Sequence, residues 1–221
     1  GGKKSFVQYI NYDQSKDGQY LFVQGLTQST RFAVNDAENQ PPNNSGGAGV
    51  DGVLTLYDIH NHVIQPRMNA FGACFASLDS FKGITLFCYT KKEYLCDDAQ
   101  SNQSVTKLCI VELSRADKQN EEDEKSMASS SSSSYECRYH VRVERTIHFY
   151  HSNDFVVCMV QCQSVLYAVT KLGCLLIFDI SSGLCLYHQK VSRDVIFLVS
   201  PFPKANGIVA LDRTGKLTLY Y

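Results

Sequence analysis

The chain has 221 residues, of which 44% are hydrophobic, and a formal net charge of −1 at pH 7. This length and apolar content suffice for one large core. A dedicated nucleic-acid or anionic-membrane surface needs a concentrated positive field, so the charge balance argues against both. No apolar run reaches the ~18 residues of a membrane-spanning helix, and direct membrane insertion is not expected.

The nine cysteines are an odd number and lie mostly in apolar, strand-like runs. This pattern indicates reduced, buried thiols of a cytoplasmic protein rather than a disulfide framework. Cys158 and Cys162 are four residues apart, and no second Cys or His pair stands at zinc-site spacing. We therefore predict no metal site and no cofactor.

A short strand-like run recurs four times along the chain; it begins with Gly or Lys, and an acidic or aromatic residue stands among its last three residues. The four runs span residues 52–59, 107–113, 173–180 and 215–221. Their starts are roughly 40 to 65 residues apart, the scale of a four-stranded propeller blade with variable loops. A repeat of this size cannot bury its own apolar face, so copies must stack, and the grooves between them become natural binding sites.

In chain order, the turn signals divide the sequence into four units. Residues 1–4 look like a remnant of expression, and residues 5–221 form the predicted propeller. Its blades span 5–68, 69–149, 150–191 and 192–221, and the last lacks a fourth strand. Segments 35–50, 91–104 and 115–134 are polar or rich in Gly, Pro, Asn or Ser, which predicts flexible loops.

The predicted fold class is therefore all-β, a partial propeller of about four blades with four antiparallel strands each. Asp58, Asp179 and Asp212 lie at or beside turns, where a carboxylate accepts backbone N–H bonds. Two interpretations of the incomplete last blade remain: a four-bladed propeller short of one strand, or a fragment of a larger ring. The need to avoid open sheet edges favours the fragment.

Propeller families differ in their signatures, and the absence of tryptophan excludes conventional Trp-Asp repeats. Several stretches follow one another in the order seen in one family, among them Gln8-Tyr9-Ile10-Asn11-Tyr12, Ile64-Gln65-Pro66, Ser152-Asn153-Asp154-Phe155, residues 169–180 and residues 207–217. Together they resemble the amino-terminal domain of the clathrin heavy chain, a seven-bladed propeller. The resemblance runs from about Val7 to Leu219 and covers the second half of that propeller, about its fourth to seventh blades.

This resemblance implies a non-catalytic domain that binds short linear motifs of endocytic and Golgi adaptor proteins during coated-vesicle formation and intracellular trafficking. It also implies a cytoplasmic location, at coated pits and coated vesicles. Light-chain binding and trimer formation would belong to parts of the full chain absent here. The clathrin-box groove, between the first two blades of the full propeller, likewise lies outside this sequence.

The resemblance also implies three sets of peptide-binding residues. One set, near the top centre, is Gln8, Ile10 and Leu26. A second, between the family's fourth and fifth blades, is Tyr20, Leu56, Asn61, Val63 and Gln65. A third, between the last two blades, includes Gln189 and Lys190. For each of these residues the alternative is a packing or ladder role within its strand.

The alternative function is a propeller enzyme, or a ligand-binding propeller, with its site in the central channel. Such a site needs clustered carboxylates or histidines on the innermost strands. The predicted innermost strands, 6–12, 74–78, 155–161 and 195–200, carry no such cluster. We therefore predict that the domain is not an enzyme.

Overall fold

A computed structural model describes residues 7–29, 49–59, 62–63, 68–81, 83–94, 104–114, 138–151 and 154–221. These residues form fifteen strands in four antiparallel sheets, and within each sheet the strands pair in chain order. The helical residues among them are confined to two short 3-10 turns, Asp79–Phe81 and Pro203–Ala205. We call the sheets blades 1 to 4.

The strands of the four blades have the following bounds. Blade 1 contains β1 (Val7–Gln14), β2 (Tyr20–Ser29), β3 (Gly49–Asp58) and β4 (His62–Val63). Blade 2 contains β5 (Ala70–Ala76), β6 (Thr85–Tyr94), β7 (Ser104–Ser114) and β8 (Arg138–Ile147). Blade 3 contains β9 (Val156–Cys162), β10 (Val165–Thr170), β11 (Cys174–Asp179) and β12 (Cys185–Lys190). Blade 4 contains β13 (Ile196–Phe202), β14 (Gly207–Asp212) and β15 (Leu217–Tyr220).

The first strand of each blade lies innermost, and these strands face one another. Strand β9 packs against both β5 and β13, and β5 also contacts β1. Each further strand lies farther from the centre, so the blades radiate from a common axis. This arrangement confirms the predicted all-β, propeller-type fold of about four antiparallel blades.

Blades 2 and 3 are buried on both faces because each lies between two neighbours. In β10, Leu166 and Ala168 belong to the core shared with blade 2, whereas Tyr167 and Val169 belong to the core shared with blade 4. A strand covered on both sides reads as a continuous apolar run rather than an alternating one. Residues 165–170 show this pattern in the sequence.

The turn carboxylates act as predicted at two of the three positions. The Asp212 carboxylate accepts hydrogen bonds from the backbone N–H groups of Thr214 and Lys216, at 2.9 and 3.0 Å. The Asp179 carboxylate accepts one from the N–H of Ser182 at 2.8 Å. The Thr214 hydroxyl, together with these N–H groups, lowers the pKa of Asp212. These aspartates therefore cap the turns that end β14 and β11.

A series of polar contacts joins the blades at one end of the innermost strands. The Lys16 ammonium in blade 1 donates to the Ser77 hydroxyl at 3.2 Å. The Ser77 N–H donates to the Gln161 side chain at 2.9 Å, and the Gln161 amide donates back to the Ser77 carbonyl at 2.6 Å. The Gln163 amide then donates to the Asn206 side chain in blade 4 at 2.6 Å. We call this series the polar relay.

The β6–β7 ladder extends into the segment predicted as a loop, because Lys91 to Tyr94 pair with Ser104 to Lys107. Lys91 lies opposite Lys107, and like charges in that position normally repel. Here Glu93 and Glu144 each bridge both lysines, with N–O distances of 2.6 to 3.0 Å. These four side chains form a closed arrangement, the charged ring, that accounts for the longer ladder.

The charged ring predicts a pH-dependent contribution to stability. Hydrogen bonds from Lys107 and Lys91 lower the pKa of Glu93 and Glu144. The stabilisation is therefore complete above the ordinary glutamate pKa of about 4.3 and is lost as the pH falls through the lowered values. We expect the double variant Glu93→Gln/Glu144→Gln to have a lower Tm than the unmodified chain at pH 7, and the difference to shrink below about pH 4.

Thermal unfolding followed by circular dichroism at several pH values measures this difference. Glu112→Gln, which removes the Arg142–Glu112 pair at 2.7 Å, is the matched control. An exposed single pair contributes at most about 1 kcal/mol, so its effect should be smaller at pH 7. A Tm difference for the double variant that stays constant from pH 7 to pH 3 would contradict the electrostatic explanation.

Two glycines in hairpin turns allow a second stability prediction. Gly173 and Gly215 have φ values of +82° and +85°, which L-residues adopt at a cost of roughly 1–2 kcal/mol. A Cβ on Gly173 would also collide with the backbone carbonyl of Ser192, whereas one on Gly215 meets nothing within 4 Å. We expect Gly173→Ala to lower the free energy of unfolding clearly more than Gly215→Ala in urea titrations. Equal losses would mean that the close approach to Ser192 carries no energetic weight.

Candidate peptide-binding grooves

Three apolar cores lie between successive blades, and each leaves a groove where the outer strands diverge. The core between blades 1 and 2 contains four side chains of blade 1, Tyr20, Phe22, Leu54 and Leu56, packed against blade 2. Phe22 contacts Phe75 and Phe87, with ring centroids 5.4 and 5.6 Å apart. These contacts fix the floor of the blade 1–2 groove.

A narrow apolar crevice opens in the blade 1–2 groove. It is lined by Leu56, Met68, Phe87, Tyr89, Val111 and Tyr139. Burial is the main cause that raises the pKa of Tyr89 far above its ordinary range, so the phenol there is neutral. The crevice holds only about 10 Å³, roughly the space of one water molecule, so its uncharged aliphatic and aromatic walls would have to move apart to admit an apolar anchor of a peptide.

The structure separates the predicted residues of the blade 1–2 groove by depth. Tyr20 and Leu56 are each 2% exposed and are core side chains; Leu56 also forms part of the crevice wall. Val63 lies in β4, where the backbone is described, and pairs with Tyr57. Asn61 and Gln65 lie outside the described residues. A peptide in the groove would thus contact Leu56 only through the crevice, and it would not contact Tyr20.

Tyr139 of the outer strand β8 lines the crevice, and Val141 lies two residues farther along the same strand; no sequence signal pointed to either residue. Tyr139 and Val141 are 47% and 45% exposed. They pair with Leu113 and Val111, whose side chains belong to the core shared with blade 1. Directly paired residues of neighbouring strands lie on the same face of a sheet, so Tyr139 and Val141 also face blade 1. They form an exposed apolar pair on the wall of the blade 1–2 groove.

The charged ring lies farther along the same wall. Lys91 follows Tyr89 by two positions, and Glu144 pairs with Cys109, which belongs to the blade 1–2 core. The lysines and glutamates are roughly one-quarter to one-third exposed. The hydrogen bonds that Lys107 donates to Glu144 and Glu93 raise the pKa of Lys107. The groove wall therefore changes from an apolar end at Tyr139 to a charged end at the ring.

The predicted top-centre residues lie on the two paired strands β1 and β2. The register places Ile10 opposite Gly25, and Tyr9 opposite Leu26. Gln8 falls at an irregularity between Val7 and Tyr9, where the register shifts. At these positions the backbone alone is described. The three residues are therefore close along the ladder, but Ile10 and Leu26 are not direct partners.

The register of blade 3 separates the two residues predicted between the last blades. Gln189 pairs with Leu175, which packs toward blade 4, whereas Lys190 pairs with Cys174, which packs toward blade 2. Both are exposed on β12, and the Tyr187 hydroxyl donates to the Gln189 side chain at 3.1 Å. Consecutive strand residues point to opposite faces, so the structure brings Gln189, and not Lys190, to the groove between blades 3 and 4.

An open cavity of about 1050 Å³ lies along the innermost strands, where the alternative enzyme site would be. Its wall includes Asp13, Lys16, Asp79 and the thiols of Cys74 and Cys158. A hydrogen bond with Cys88, followed by burial, raises the pKa of Cys74, and burial raises that of Cys158. Both thiols are therefore protonated at neutral pH and poor nucleophiles. No group of three or more potential metal ligands occurs among the described residues.

The cysteines of the described segments follow the predicted pattern with one exception. Cys74, Cys88, Cys109, Cys158, Cys162 and Cys174 are buried free thiols. Cys185 is free but exposed, because it begins the outer strand β12. In the described parts of the chain, no helix is long and apolar enough to span a membrane.

No protein-family model matches the chain. Individual proteins do: clathrin heavy chain 2 of Homo sapiens is 27% identical over 177 residues, and the clathrin heavy chain of Dictyostelium discoideum is 25% identical over 173 residues. Each match covers 76% of this chain and 9% of the relative. Clathrin heavy chain 1 of Arabidopsis thaliana is 33% identical over 70 residues, covering 31% of this chain and 4% of that protein.

Among solved structures, the β-propeller domain of Myceliophteria thermophila Cps50 (Swd1) matches with a TM-score of 0.41 and 11% identity, over 95% of this chain and 66% of that one. The chain spans about a tenth of the length of the clathrin heavy chains that it matches. The sequence similarity to proteins of several organisms extends over the blades described above. The chain is similar in sequence to the clathrin heavy chains of several organisms.

Proposed function

We propose that this chain is a non-catalytic peptide-binding domain that recruits endocytic and Golgi adaptor proteins. Short linear motifs of these adaptors bind in the grooves between its blades during coated-vesicle formation. The observation that carries the proposal is the exposed apolar pair Tyr139 and Val141 beside the crevice of the blade 1–2 groove. Similarity to clathrin heavy chains supports the class of partner.

The blade 1–2 groove offers what an extended peptide needs. An apolar anchor of the peptide inserts beside Leu56 and Tyr139, and flanking polar residues reach the charged ring. On the blade 1 side, the family resemblance assigns Val63 and Gln65, two residues apart in the sequence, to the same ligand. Apolar anchoring with a few polar contacts is the usual division of affinity and specificity in such sites.

The other two predicted sites contribute further grooves to the proposal. Gln189 supplies an amide for backbone hydrogen bonds between blades 3 and 4, and Gln8, Ile10 and Leu26 form the top-centre site. Several weak grooves on one domain raise overall affinity for adaptors that carry several motifs. Light-chain binding and trimer formation are assigned to other parts of a longer heavy chain, and the domain acts at the cytoplasmic face of coated pits and vesicles.

Two thiols in the wall of the central cavity support a non-catalytic function. Cys74 and Cys158 have raised pKa values, so they are not in the thiolate form that nucleophilic catalysis requires. The Lys16 ammonium donates to Ser77 in the polar relay, a structural contact between blades 1 and 2. No observation favours a reaction at this cavity over peptide binding in the grooves.

Val63→Asp tests the assignment of Val63 to the groove by family resemblance, because its paired residue Tyr57 lies on the face of blade 1 opposite to Leu56. The substitution places an unpaired charge where an apolar anchor binds, at an expected cost of roughly 2 kcal/mol or more, about thirtyfold in affinity. Gln65→Ala removes one hydrogen bond and should cost about 1 kcal/mol. Calorimetric titration with short peptides that place an aliphatic or aromatic anchor beside acidic residues measures both effects. Unchanged affinity in a folded Val63→Asp variant would mean that the site lies elsewhere.

Tyr139→Ala tests the opposite wall and separates this groove from the others. Removing an exposed aromatic anchor contact should weaken the same peptides about tenfold, the typical effect of an interface side chain worth more than 1 kcal/mol. Tyr221→Ala, at an 88% exposed tyrosine outside the groove, is the matched control and should bind normally. If both variants bind as the unmodified chain does, the blade 1–2 groove is not the peptide site.

A further inference from the structure

A fully buried glutamine in blade 1 has no hydrogen-bond partner. The side chain of Gln24 is 0% exposed, and neither its Nε2 nor its Oε1 is bonded. Among the described residues, the only other buried side-chain nitrogen or oxygen atom without a partner is Nε2 of His188. Buried polar groups are normally bonded, because an amide that leaves water without a compensating hydrogen bond raises the free energy of the folded state. Gln24 therefore needs a partner that its own interface does not provide.

Gln24 lies in the interface between blades 1 and 2. It pairs directly with Leu54, whose side chain belongs to the core shared by these two blades. Directly paired residues lie on the same face of a sheet, so Gln24 also faces blade 2. Strand β5 of blade 2 packs against β2, and its core residues Ala70 and Ala73 present only methyl groups. The amide is therefore enclosed by apolar side chains that cannot bond it.

Gln24 belongs to a row of residues that crosses blade 1 from the central cavity to the crevice. The row consists of Asn11, Gln24, Leu54 and Met68, each paired with the next. Asn11 lines the central cavity, and Met68 lines the crevice. Neighbouring strands are about 4.8 Å apart, so Gln24 lies roughly 10 Å from Met68, a distance that about three extended residues span. A peptide anchored at the crevice can thus reach Gln24 by following this row.

The carboxamide of Gln24 is chemically complementary to a peptide backbone. Its Nε2 donates hydrogen bonds and its Oε1 accepts them. One such side chain can therefore donate to a backbone carbonyl and accept from a backbone N–H of the same extended segment. These contacts involve only the backbone of the ligand, so they do not depend on its side chains. In the interface as it stands neither bond is made, and only a ligand that enters between the blades can supply both.

We propose that the blade 1–2 interface opens along this row when a peptide binds, and that the Gln24 carboxamide then binds the peptide backbone beyond its apolar anchor. This inference rests on the proposed function and extends it, because it names the residue that holds the backbone. The crevice is too narrow for an anchor while the blades are closed, so binding requires opening. The unbonded amide destabilises the closed interface and therefore lowers the free energy needed to open it.

Gln24→Met tests both parts of the proposal. Methionine is similar in length and lacks the amide, so the variant should have a higher Tm than the unmodified chain. It should also bind the short peptides with an apolar anchor beside acidic residues about tenfold more weakly. The matched control is Thr90→Val, because Thr90 is 0% exposed but its hydroxyl donates to the carbonyl of Phe71. This control should lower the Tm and leave the peptide affinity unchanged. Thermal unfolding and calorimetric titration measure the two quantities.

The side-chain NH₂ resonances of Gln24 give a direct NMR measurement of the contact. Their absence from the spectrum of Gln24→Met assigns them, and we expect them to shift when peptide is added to the unmodified chain. Unshifted resonances at saturating peptide, or an unchanged affinity in Gln24→Met, would overturn the inference and leave the proposed function intact. A lower Tm in Gln24→Met would also overturn it, because the amide would then be bonded in the free protein. An unmodified chain that binds none of the peptides would overturn the proposed function, and this inference with it.

Discussion

The structure depends on one constraint: no blade can bury its own two faces. A four-stranded sheet with apolar side chains on both sides needs a neighbour on each, and blade 3 obtains them through Leu166 and Ala168 on one face and Tyr167 and Val169 on the other. Folding free energy therefore resides in the contacts between blades as well as within them. The binding grooves follow from the same constraint, because stacked sheets that radiate from an axis separate toward their outer strands.

Apolar packing alone would not fix how one blade sits against the next. The hydrophobic effect is non-directional, whereas hydrogen bonds require defined distances and angles. Near the axis, the hydrogen bonds of the polar relay fix the position of one blade against the next. Gln161 both donates to and accepts from Ser77, and Gln163 donates to Asn206. The outer strands lie beyond this control, and their separation is set by the side chains between them.

Much of the fold was predictable because its sequence signals are local, whereas most of the candidate site could not be predicted. The four repeated runs correspond to the third strand of each blade, β3, β7, β11 and β15. Asp179 and Asp212, which end β11 and β14, cap turns as expected. The longer β6–β7 ladder was missed because its charged ring joins Lys91 to Glu144, 53 residues away. The family resemblance pointed to Gln189 and Lys190 but did not indicate which face of β12 each residue occupies. Tyr139 has no sequence signal apart from being an aromatic residue in a strand.

The contrast between inner and outer strands sets how freely each part of a blade can change during evolution. In β9 most side chains are buried, and a substitution there disturbs the core on one side of the blade or the other. In β12 nearly every side chain is exposed, so replacements disturb the packing less. Sequences of this architecture should therefore drift fastest at the rim, the region of the proposed grooves. Two relatives can keep nearly the same innermost strands while their sets of partners diverge.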